Sequence, residues 1–588
     1  MFGLDAWHGA EQTCLDLGPV CTPDNQSVVA PSAGTGPTIS STVNPSRTIF
    51  QPLLSLLLIA VGAGVSVAQL RPDEVLVVYD SRIQDSGGVR TSREVAEYYA
   101  GSAKVPGGVG GMPGVRPGVR VFDLSSAGLP VRGTPNITYT AFNTDLRAPL
   151  QTFLTTSRLT TRIRCIVLTK GMPHRILDTD AGDIMDFPGS IGPEYSAGDI
   201  TAASVDTEMV LLWQTLNTGE TGGNSDSRAD GCIINPYWKS AASITSFTNA
   251  NIEVSKSFGI SSAAGPVYAT NAAAGTVQRL TSGDLYLVTR LDGDTVADVR
   301  AAIDRAQNIF IDVNTTALLL DESESNGVAD FGPNGELDNS NANLSGLYDS
   351  DDYESSRDLF LNDRRWLSTM VRYNALSGFN QFFIGPRLAW MANHGIAVSD
   401  PVALVASYGF NHVGQPLTAA GRTGGEVYAT SYNYVPGALF SSLESFNCRG
   451  FGGLAPLSFS PQQQASAFIA AGGTLAVGNV WEPLAASVPD IKYLSQNFLL
   501  GNLSFAEAAW TSIPALSWMQ IAVGDPLARV QRSSEDIDAN RRVNIDDLYA
   551  WERTPADVNR NGTADASDRS FVLRALRAAE RTNVFTPR

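Results

Sequence analysis

Two stretches near the C-terminus constrain this chain most, because each has the residue spacing of a loop that wraps around a hard cation. They run from Asp536 to Asp547 and, 21 residues later, from Asp557 to Asp568. Each has Asp or Asn at loop positions 1, 3, 5 and 9 and Asp at position 12, and the carbonyl of position 7 adds a ligand. Calcium takes six to eight oxygen ligands, so the spacing predicts two calcium ions. The predicted ligands are Asp536, Asp538, Asn540, Arg542, Asn544, Asp547, Asp557, Asn559, Asn561, Thr563, Asp565 and Asp568.

The two loops differ at position 6, where the chain turns most sharply. Gly562 eases this turn in the second loop, whereas Arg541 occupies the same position in the first. At position 8, Val543 and Ala564 are expected to anchor each loop to its twin. The alternative interpretation is an acidic, solvated tail with chance spacing. Two matches to one ligand pattern within a short period favour the calcium interpretation.

The pair of loops resembles a type I dockerin, a module of two calcium loops that are each followed by a helix. The predicted helices cover 547–553 and 568–580, and position 12 is Asp in both repeats, as in dockerins. The resemblance covers about 45 residues, within a module at 533–581, and implies docking onto a cohesin-like or cell-surface protein. The usual recognition positions, 10 and 11, are Ile545-Asp546 and Ala566-Ser567, which departs from the symmetric Ser/Thr pair of the family.

The overall composition indicates large buried cores and an acidic surface. Hydrophobic residues make up 43% of the 588 residues and charged residues only 17%, so extensive burial is expected. The net charge of −18 argues against general nucleic-acid binding, which depends on clustered Lys and Arg.

An apolar run at 52–68 has the pattern of an export signal. Arg47 precedes it, and Ser66 and Ala68 form a small-x-small cleavage site before Gln69. Residues 47–68 are therefore predicted to be a signal peptide, cleaved after Ala68, of a secreted, periplasmic or cell-surface protein. The preceding segment, 1–46, is predicted to be a disordered leader or the product of a misassigned start. A single membrane anchor is the competing interpretation, because about 17 apolar residues is marginal for a span.

Between 69 and 530 the sequence alternates short apolar runs with longer amphipathic ones. This alternation predicts an α/β core with a mostly parallel sheet flanked by helices. The predicted strands are 74–79, 119–124, 164–169, 285–289, 316–320, 402–408, 437–443 and 474–480. The predicted helices are 92–103, 148–156, 205–216, 295–307, 355–373, 462–471 and 505–513.

Five strings in this core, spanning about 74–530, resemble an uncharacterised family of exported bacterial proteins that often carry C-terminal modules. The resemblance implies no established activity. The strings are Ile166-Val-Leu-Thr-Lys-Gly-Met-Pro-His-Arg-Ile176, Ala203-Ser-Val-Asp-Thr-Glu208, Asn235-Pro-Tyr237, Tyr286-Leu-Val-Thr-Arg-Leu-Asp-Gly293 and Gly524-Asp-Pro-Leu527. Thr169, Lys170 and His174 follow a predicted strand and are expected to line a crevice at its carboxyl end.

The second half of the core also resembles the gingipain–caspase clan of cysteine peptidases. A predicted strand leads into His412 and the next leads into Cys448, the order of the catalytic pair in that clan. The resemblance implies His412 as base and Cys448 as nucleophile. The sequence departs from the clan in having His412-Val413 for His-Gly and Asn447-Cys448 for Ala-Cys, so a non-catalytic core is the alternative.

Asp80 and Asp292 follow predicted strands and are a further candidate pair. Carboxylates at strand ends can act as acid and base, and they can equally cap a turn or a helix. Three hypotheses of function follow from the sequence: a calcium-dependent docking protein with a non-catalytic core, a cysteine hydrolase, and a polysaccharide-associated, cellulosome-like component. The last rests only on the enzymes that dockerins commonly accompany.

Overall fold

The structure is a computed structural model that describes most of the core and the C-terminal region. The described residues are 70–108, 110–177, 203–213, 233–235, 237–238, 240, 252–254, 258–261, 265–268, 278–280, 285–321, 352–374, 383–387, 395–407, 429–444, 446–452, 465–480 and 488–580. His412 and the predicted signal peptide lie outside these ranges.

A ten-stranded sheet forms the centre of the core. Its inner strands are largely buried, as expected for strands covered on both faces, whereas the two edge strands are mostly half-buried. In chain order the ten strands are β1 (Val75–Tyr79), β2 (Arg120–Asp123), β3 (Cys165–Thr169), β4 (Leu287–Leu291), β5 (Ala317–Asp321), β6 (Val371–Asn374), β7 (Val402–Ser407), β8 (Tyr434–Ser442), β9 (Leu475–Asn479) and β10 (Gln520–Val523).

The sheet consists of two parallel halves that run in opposite directions. Its spatial order is β6-β5-β7-β8-β9-β10-β4-β3-β1-β2. Every described pairing is parallel except β9 with β10, where Val477 lies opposite Ala522. The first half contains β1, β2, β3, β4 and β10, and the second contains β5 to β9. Numbered within its own half, each set of five strands has the order 2-1-3-4-5, so the two halves share one doubly wound topology.

Helices connect many of the strands and cover the sheet. They are α1 (Thr91–Ala100), α2 (Tyr139–Phe142), α3 (Ala148–Thr156), α4 (Val205–Val210), α5 (Val296–Arg305), α6 (Asp352–Asp363), α7 (Ala465–Ala470), α8 (Ile491–Ser495) and α9 (Phe505–Ser512). Two more helices, α10 (Ile545–Arg553) and α11 (Ala566–Glu580), follow the C-terminal loops.

Short two-stranded pairs lie outside the main sheet. They are Asn136–Thr138 with Arg175–Leu177, Ile233–Ile234 with Ala515–Leu516, Ile252–Val254 with Gln278–Leu280, Phe258–Ser261 with Gly265–Tyr268, Ile309–Ile311 with Val530–Arg532, and Phe383–Ile384 with Ile396–Ala397.

Two hydrophobic clusters enclose the second half-sheet. Alternate residues of a strand point to opposite faces, and in β5 Leu318 and Leu320 belong to one cluster while Leu319 belongs to the other. The first cluster also includes α9, with Trp510, and the second includes α7, with Phe468. This arrangement confirms the prediction of a mostly parallel sheet with helices against it.

All eight predicted strands and all seven predicted core helices overlap elements of the structure, but some helix ends were predicted wrongly. The helix predicted at 205–216 ends at Val210. The segment 355–373 was expected to be helical throughout, but α6 ends at Asp363 and β6 follows at the edge of the sheet. Arg364 has a φ of +63°, which breaks the helical path. Trp366 then donates from Nε1 to the carbonyl of Thr316 at 2.8 Å and directs the chain along β5. Strand β10 was not predicted.

Within the described ranges, no helix is both long enough and apolar enough to cross a membrane.

Candidate functional site

Cys448, the predicted nucleophile, lies fully buried after β8. Its amide donates to the carbonyl of Asn479 at 2.9 Å, and its side chain belongs to one of the two hydrophobic clusters. A Cβ added to Gly478 would stand 2.7 Å from the Cys448 sulfur, so the backbone of β9 packs directly against the thiol. Burial raises the pKa of this thiol well above its usual range. Burial and a raised pKa favour a structural role for this thiol.

Cys448 should therefore react slowly in the folded chain. We expect iodoacetamide at neutral pH to alkylate Cys448 and the equally buried Cys165 at least about a hundredfold more slowly in native protein than in guanidinium-denatured protein. Mass spectrometry of tryptic peptides at successive times measures both rates. Rapid labelling of Cys448 with slow labelling of Cys165 would contradict the structural role and revive the hydrolase hypothesis.

The three residues expected to line a crevice after β3 are all buried. Lys170 Nζ lies 3.4 Å from an Asp292 carboxylate oxygen and donates to the carbonyls of Gly293 and Gly452. The Nε2 atom of His174 lies 2.7 Å from the carbonyl of Arg449. Burial and nearby cations lower the pKa of His174 well below its ordinary value, so the ring is neutral at pH 7. Thr169 shares a hydrogen bond of 2.7 Å with a serine hydroxyl on α1.

Asp80 and Asp292 form separate ion pairs and turn contacts. The Asp80 carboxylate accepts hydrogen bonds from the backbone amide and from the Nε of Arg82, each at 2.9 Å. Asp292 accepts the amide of Gly293 at 2.9 Å and pairs with Lys170. These contacts are those of aspartates that cap turns, which was the structural alternative to acid–base roles.

Arg290 is the centre of a buried network that sequence analysis missed. Its side chain is fully buried in β4, and its Nη2 donates to an Asp206 oxygen at 2.5 Å. Further hydrogen bonds reach the carbonyls of Met172 and Pro173 at 3.2 and 3.0 Å. A signal was present in the sequence, because an arginine inside an apolar strand must have a buried partner.

The five sequence strings that resemble the exported family have structural roles. Three of them lie next to one another, and the other two form hydrogen bonds with distant parts of the core. Those at 166–176, 203–208 and 286–293 converge on Arg290. Asn235 donates to the carbonyls of Trp510 and Ile513 at 2.6 and 2.8 Å. Asp525 accepts the hydroxyl of Tyr99 at 2.5 Å. Their polar residues fasten elements of the core to each other.

Removal of the Arg290 guanidinium should destabilise the core strongly. Arg290→Met leaves the Asp206 carboxylate buried without its cation, and loss of one partner of a buried pair costs about 3–5 kcal/mol. The matched control is Arg162→Met, which removes a pair with Asp73 in which the two side chains are 51% and 28% exposed. We expect that control to change the free energy of unfolding by about 0–1 kcal/mol. Urea unfolding followed by tryptophan fluorescence measures the free energy of unfolding of both variants. Equal losses in the two variants would contradict the central role of Arg290 in the buried network.

In the C-terminal loops, positions 1 and 12 share four hydrogen bonds between the repeats, and Asp547 also accepts the amide of Ile537 at 2.7 Å. At position 1, Asp536 accepts the amides of positions 5 and 6 at 3.0 and 2.8 Å, and Asp557 accepts them at 3.0 and 2.7 Å. At position 12, Asp547 and Asp568 accept the amides of positions 3 and 9, at 3.2 and 2.8 Å and at 3.0 and 2.9 Å. Both position 12 carboxylates are fully buried.

Positions 3 and 9 also correspond between the loops. Asp538 and Asn559 each accept the amide of position 5, at 3.2 and 3.1 Å. Asn544 and Asp565 each accept the amide of position 11, at 2.6 and 2.7 Å, immediately before helices α10 and α11. The loops therefore lead into their helices in the same way.

The remaining predicted ligands, at positions 5 and 7, are exposed. The side-chain amide of Asn540 donates to Asp538 at 2.9 Å, and the side-chain oxygen of Asn561 accepts the amide of Thr563 at 2.8 Å. Arg542 and Thr563, whose carbonyls are the expected position 7 ligands, are exposed.

The backbone bends at the same two positions in each loop. Position 4 has a φ of +57° in Ala539 and +54° in Arg560, and position 6 has +65° in Arg541 and +91° in Gly562. Arg541 therefore adopts the left-handed conformation that the glycine of the second loop adopts readily. Its guanidinium lies 5.3 Å from the centre of the Phe310 ring, a contact that favours this conformation.

The oxygen atoms of the first loop are close enough to share one cation. Carboxylate oxygens of Asp536, Asp538 and Asp547 all lie within 4.8 Å of one another. Burial raises the pKa of Asp536 and of Asp547, and the neighbouring carboxylates add to both shifts. A donor set made only of oxygens fits a hard cation such as calcium.

A small hydrophobic cluster joins the two loop–helix units. Trp551 of α10, Val558 of the second loop and Val572 of α11 are buried together, and Ile537 of the first loop packs against them. Trp551 Nε1 donates to the carbonyl of Ala556 at 2.9 Å. Position 2 of each loop, not position 8, thus supplies the apolar contact.

The expectation that position 8 anchors each loop to its twin is wrong. Val543 is buried, but its amide donates to the side chain of Gln531 at 3.2 Å, and Ala564 is exposed. A small methyl group at position 564 offers little area to bury, so the larger side chains at position 2 take this role.

Glu535, next to the first loop, ties the C-terminal region to the core. Its carboxylate lies 2.8 Å from Arg365 and 2.9 Å from Arg532, all three being buried. Burial acts to raise the pKa of Glu535, but the two arginines outweigh it and hold the pKa below its ordinary value. The carboxylate therefore stabilises the fold at neutral pH, and this contribution falls as the pH drops through the lowered pKa. Arg365 also lies 4.3 Å from the Phe571 ring of α11.

Comparisons with protein-family models, curated proteins and solved structures gave no match for this chain.

Proposed function

We propose that the C-terminal loops bind two calcium ions and form an all-α, dockerin-like module. Through this module an exported protein docks onto a cohesin-like or other cell-surface partner. The observation that carries the proposal is the position-by-position agreement of the two loops in hydrogen bonds and in left-handed residues. Chance acidic spacing gives no reason for such agreement.

The first ion would be held by Asp536, Asp538, Asn540, Arg542, Asn544 and Asp547, and the second by Asp557, Asn559, Asn561, Thr563, Asp565 and Asp568. Bound calcium supplies positive charge to carboxylates that otherwise repel one another. The chain contributes the preformed loops, because backbone amides already fix the oxygens at positions 1, 3 and 12.

Calcium should stabilise the full chain, because Glu535 joins the first loop to the core. We expect calorimetric titration to give two bound ions, and Asp547→Asn and Asp568→Asn each to lower that number to one. With free calcium about 100-fold above its dissociation constant, each site adds about 2.7 kcal/mol to the free energy of unfolding. Chelator should remove the gain, and magnesium at equal concentration should give a smaller one.

Asp546→Asn is the matched control, since Asp546 is exposed at position 11 and is not a predicted ligand. It should leave the stoichiometry at two. Two results would overturn the calcium proposal. One is absence of heat on titration with millimolar calcium, and the other is that Asp546→Asn loses a bound ion just as Asp547→Asn does.

Helix α10 presents the face that we propose for docking. Ile545 and Tyr549, one turn apart, are 40% and 59% exposed, and Asp546 beside them is exposed too. Large exposed apolar side chains are costly in water, and tyrosine is frequent among residues that dominate binding energy. Helix α11 has Ala566 and Ser570 at the corresponding positions, so the two helices offer different surfaces.

Partner binding should therefore need both calcium and Tyr549. We expect biolayer interferometry against purified cohesin domains to show binding in calcium, none in chelator, and at least about tenfold weaker binding for Tyr549→Ser. The control is Val89→Ser, which removes an apolar side chain, 37% exposed, from the surface of the α/β domain. This variant should bind normally. Calcium-independent binding, or equal loss in both variants, would contradict this docking face.

Two further parts of the proposal concern the rest of the chain. The apolar run at 52–68, preceded by Arg47, supports export with cleavage after Ala68. The burial of Cys448 supports a core that serves as a binding or structural unit and not as a cysteine hydrolase.

A further inference from the structure

Basic side chains gather at one end of the first half-sheet, where its first three strands begin. β1 pairs in parallel with β2 and with β3, so the amino ends of these strands meet at the same edge. Two carboxylates, those of Asp73 and Glu74, lie among the cations, and Asp525 nearby is fully buried and paired with Arg116. The surface, called the basic face below, consists of Arg71, Lys104, Arg120, Arg158, Arg162 and Arg164.

The segments before β1 and β3 contact each other at the basic face. Arg71 and Arg162 each donate from Nη2 to one oxygen of Asp73 at 2.8 Å. The amide of Arg164 donates to the carbonyl of Glu74 at 2.8 Å. Three arginines from two separate segments therefore surround these two carboxylates.

The segment before β2 brings two more cations to the same place. A Cβ added to Gly118 would stand 2.6 Å from the Cβ of Pro72, so this segment packs against the residue that follows Arg71. Lys104 Nζ donates to the carbonyl of Val119 at 2.6 Å. Burial and the neighbouring charge of Arg120 lower the pKa of Lys104, as expected for two cations that lie close together.

Much of the positive charge of the basic face is not neutralised. Asp73 is shared by two arginines, and within the described ranges Lys104 contacts carbonyl oxygens and no carboxylate. Arg158 is exposed, and no ion pair of the described part of the chain includes it. It lies about one turn from Arg162, whose amide donates to the carbonyl of Leu159 at 2.9 Å. The basic face therefore has the opposite sign to the chain as a whole, whose net charge is −18.

The chain reaches the basic face directly from its apolar run. Residues 52–68 end three positions before Arg71. A segment that enters a bilayer brings the residues beside it to the level of the lipid phosphates, which attract Lys and Arg. At physiological salt, exposed charges more than about 8 Å apart are largely screened from each other. The local positive charge, not the net negative charge of the chain, therefore governs contact at this surface.

We propose that the basic face binds the surface of anionic phospholipid bilayers. Its guanidinium groups suit lipid phosphates, because arginine forms charge-assisted and often bidentate hydrogen bonds with phosphate oxygens. The same face is present whether the apolar run is retained or removed after Ala68. In the processed chain it acts without an apolar anchor, so binding is weaker and reversible.

The test is co-sedimentation with vesicles of phosphatidylcholine alone and of phosphatidylcholine and phosphatidylglycerol in equal parts. The full chain and the processed chain that begins at Gln69 are both measured. Chelator is present throughout, so that calcium cannot bridge carboxylates to phosphates. We expect both forms to prefer the anionic vesicles, and this preference should shrink as the salt concentration rises.

Variants of Arg158 test whether the basic face is responsible. Arg158→Gln should weaken binding to the anionic vesicles about fivefold and Arg158→Glu about 25-fold, because they remove one and two units of charge from the contact. The matched control is Arg364→Glu. Arg364 is exposed before β6, at the other end of the sheet, and its φ of +63° is close to the +56° of Arg158. The two substitutions to Glu therefore strain the backbone equally, and Arg364→Glu should bind as the parent does.

Three results would overturn the proposal. The first is equal affinity for the two kinds of vesicle, and the second is an equal loss of affinity in Arg364→Glu and Arg158→Glu. The third concerns a soluble polyanion, inorganic polyphosphate, added as a competitor. If polyphosphate binds as tightly per phosphate as the anionic vesicles and loses this affinity in Arg158→Glu, the ligand is a polyanion and not a bilayer. Failure of polyphosphate to displace the chain from anionic vesicles supports the lipid surface.

Discussion

The antiparallel pairing of β9 with β10 is the interaction on which the core depends. It joins two five-stranded parallel half-sheets, each with the same 2-1-3-4-5 order, into one continuous sheet. Without this seam each half would end in a strand with unpaired backbone groups. Ala522 and Val477 face each other across the seam, and the hydrophobic clusters on the two faces extend over it.

Burial also explains those ion pairs of the core in which neither partner reaches water. Arg290, one strand from the seam, cannot reach water and is neutralised by Asp206 from the α4 segment. Glu535 has the equivalent role near the C-terminus, between Arg365 and Arg532. These pairs hold distant parts of the chain in fixed register, because leaving either partner alone in the interior is costly. The same principle operates after β1, where the buried carboxylates of Asp80 and Asp145 pair with Arg82 and Arg132.

Local patterns in the sequence predicted much of this architecture. Apolar runs such as 164–169 and 402–408 identified eight strands, because a strand buried on both faces must be apolar throughout. The spacing of Asp536 to Asp547 predicted a loop with converging oxygens, and three of these carboxylates do lie together. Calcium itself remains a prediction.

What the sequence could not provide is pairing over long distances. Strand β10 is four residues long and is recognisable only by its place between β9 and β4. The contact of Arg290 with Asp206 spans 84 residues, and the left-handed turn at Arg541 is accompanied by a contact with Phe310 in the core. His412 lies outside the described residues, so its pairing with Cys448 stays a hypothesis. Cys448 itself is fully buried.

The position of β10 has a consequence for how the chain is made. The first half-sheet begins at Val75, yet its fifth strand is residue 520 and beyond, so β4 has no neighbour on one side until nearly all of the core has been synthesised. Contacts of such high sequence separation slow folding and delay cooperativity until the late segment arrives. During that interval a nascent chain presents the backbone of β4 to any other extended polypeptide, and a holding chaperone that covers this edge would suit its biogenesis.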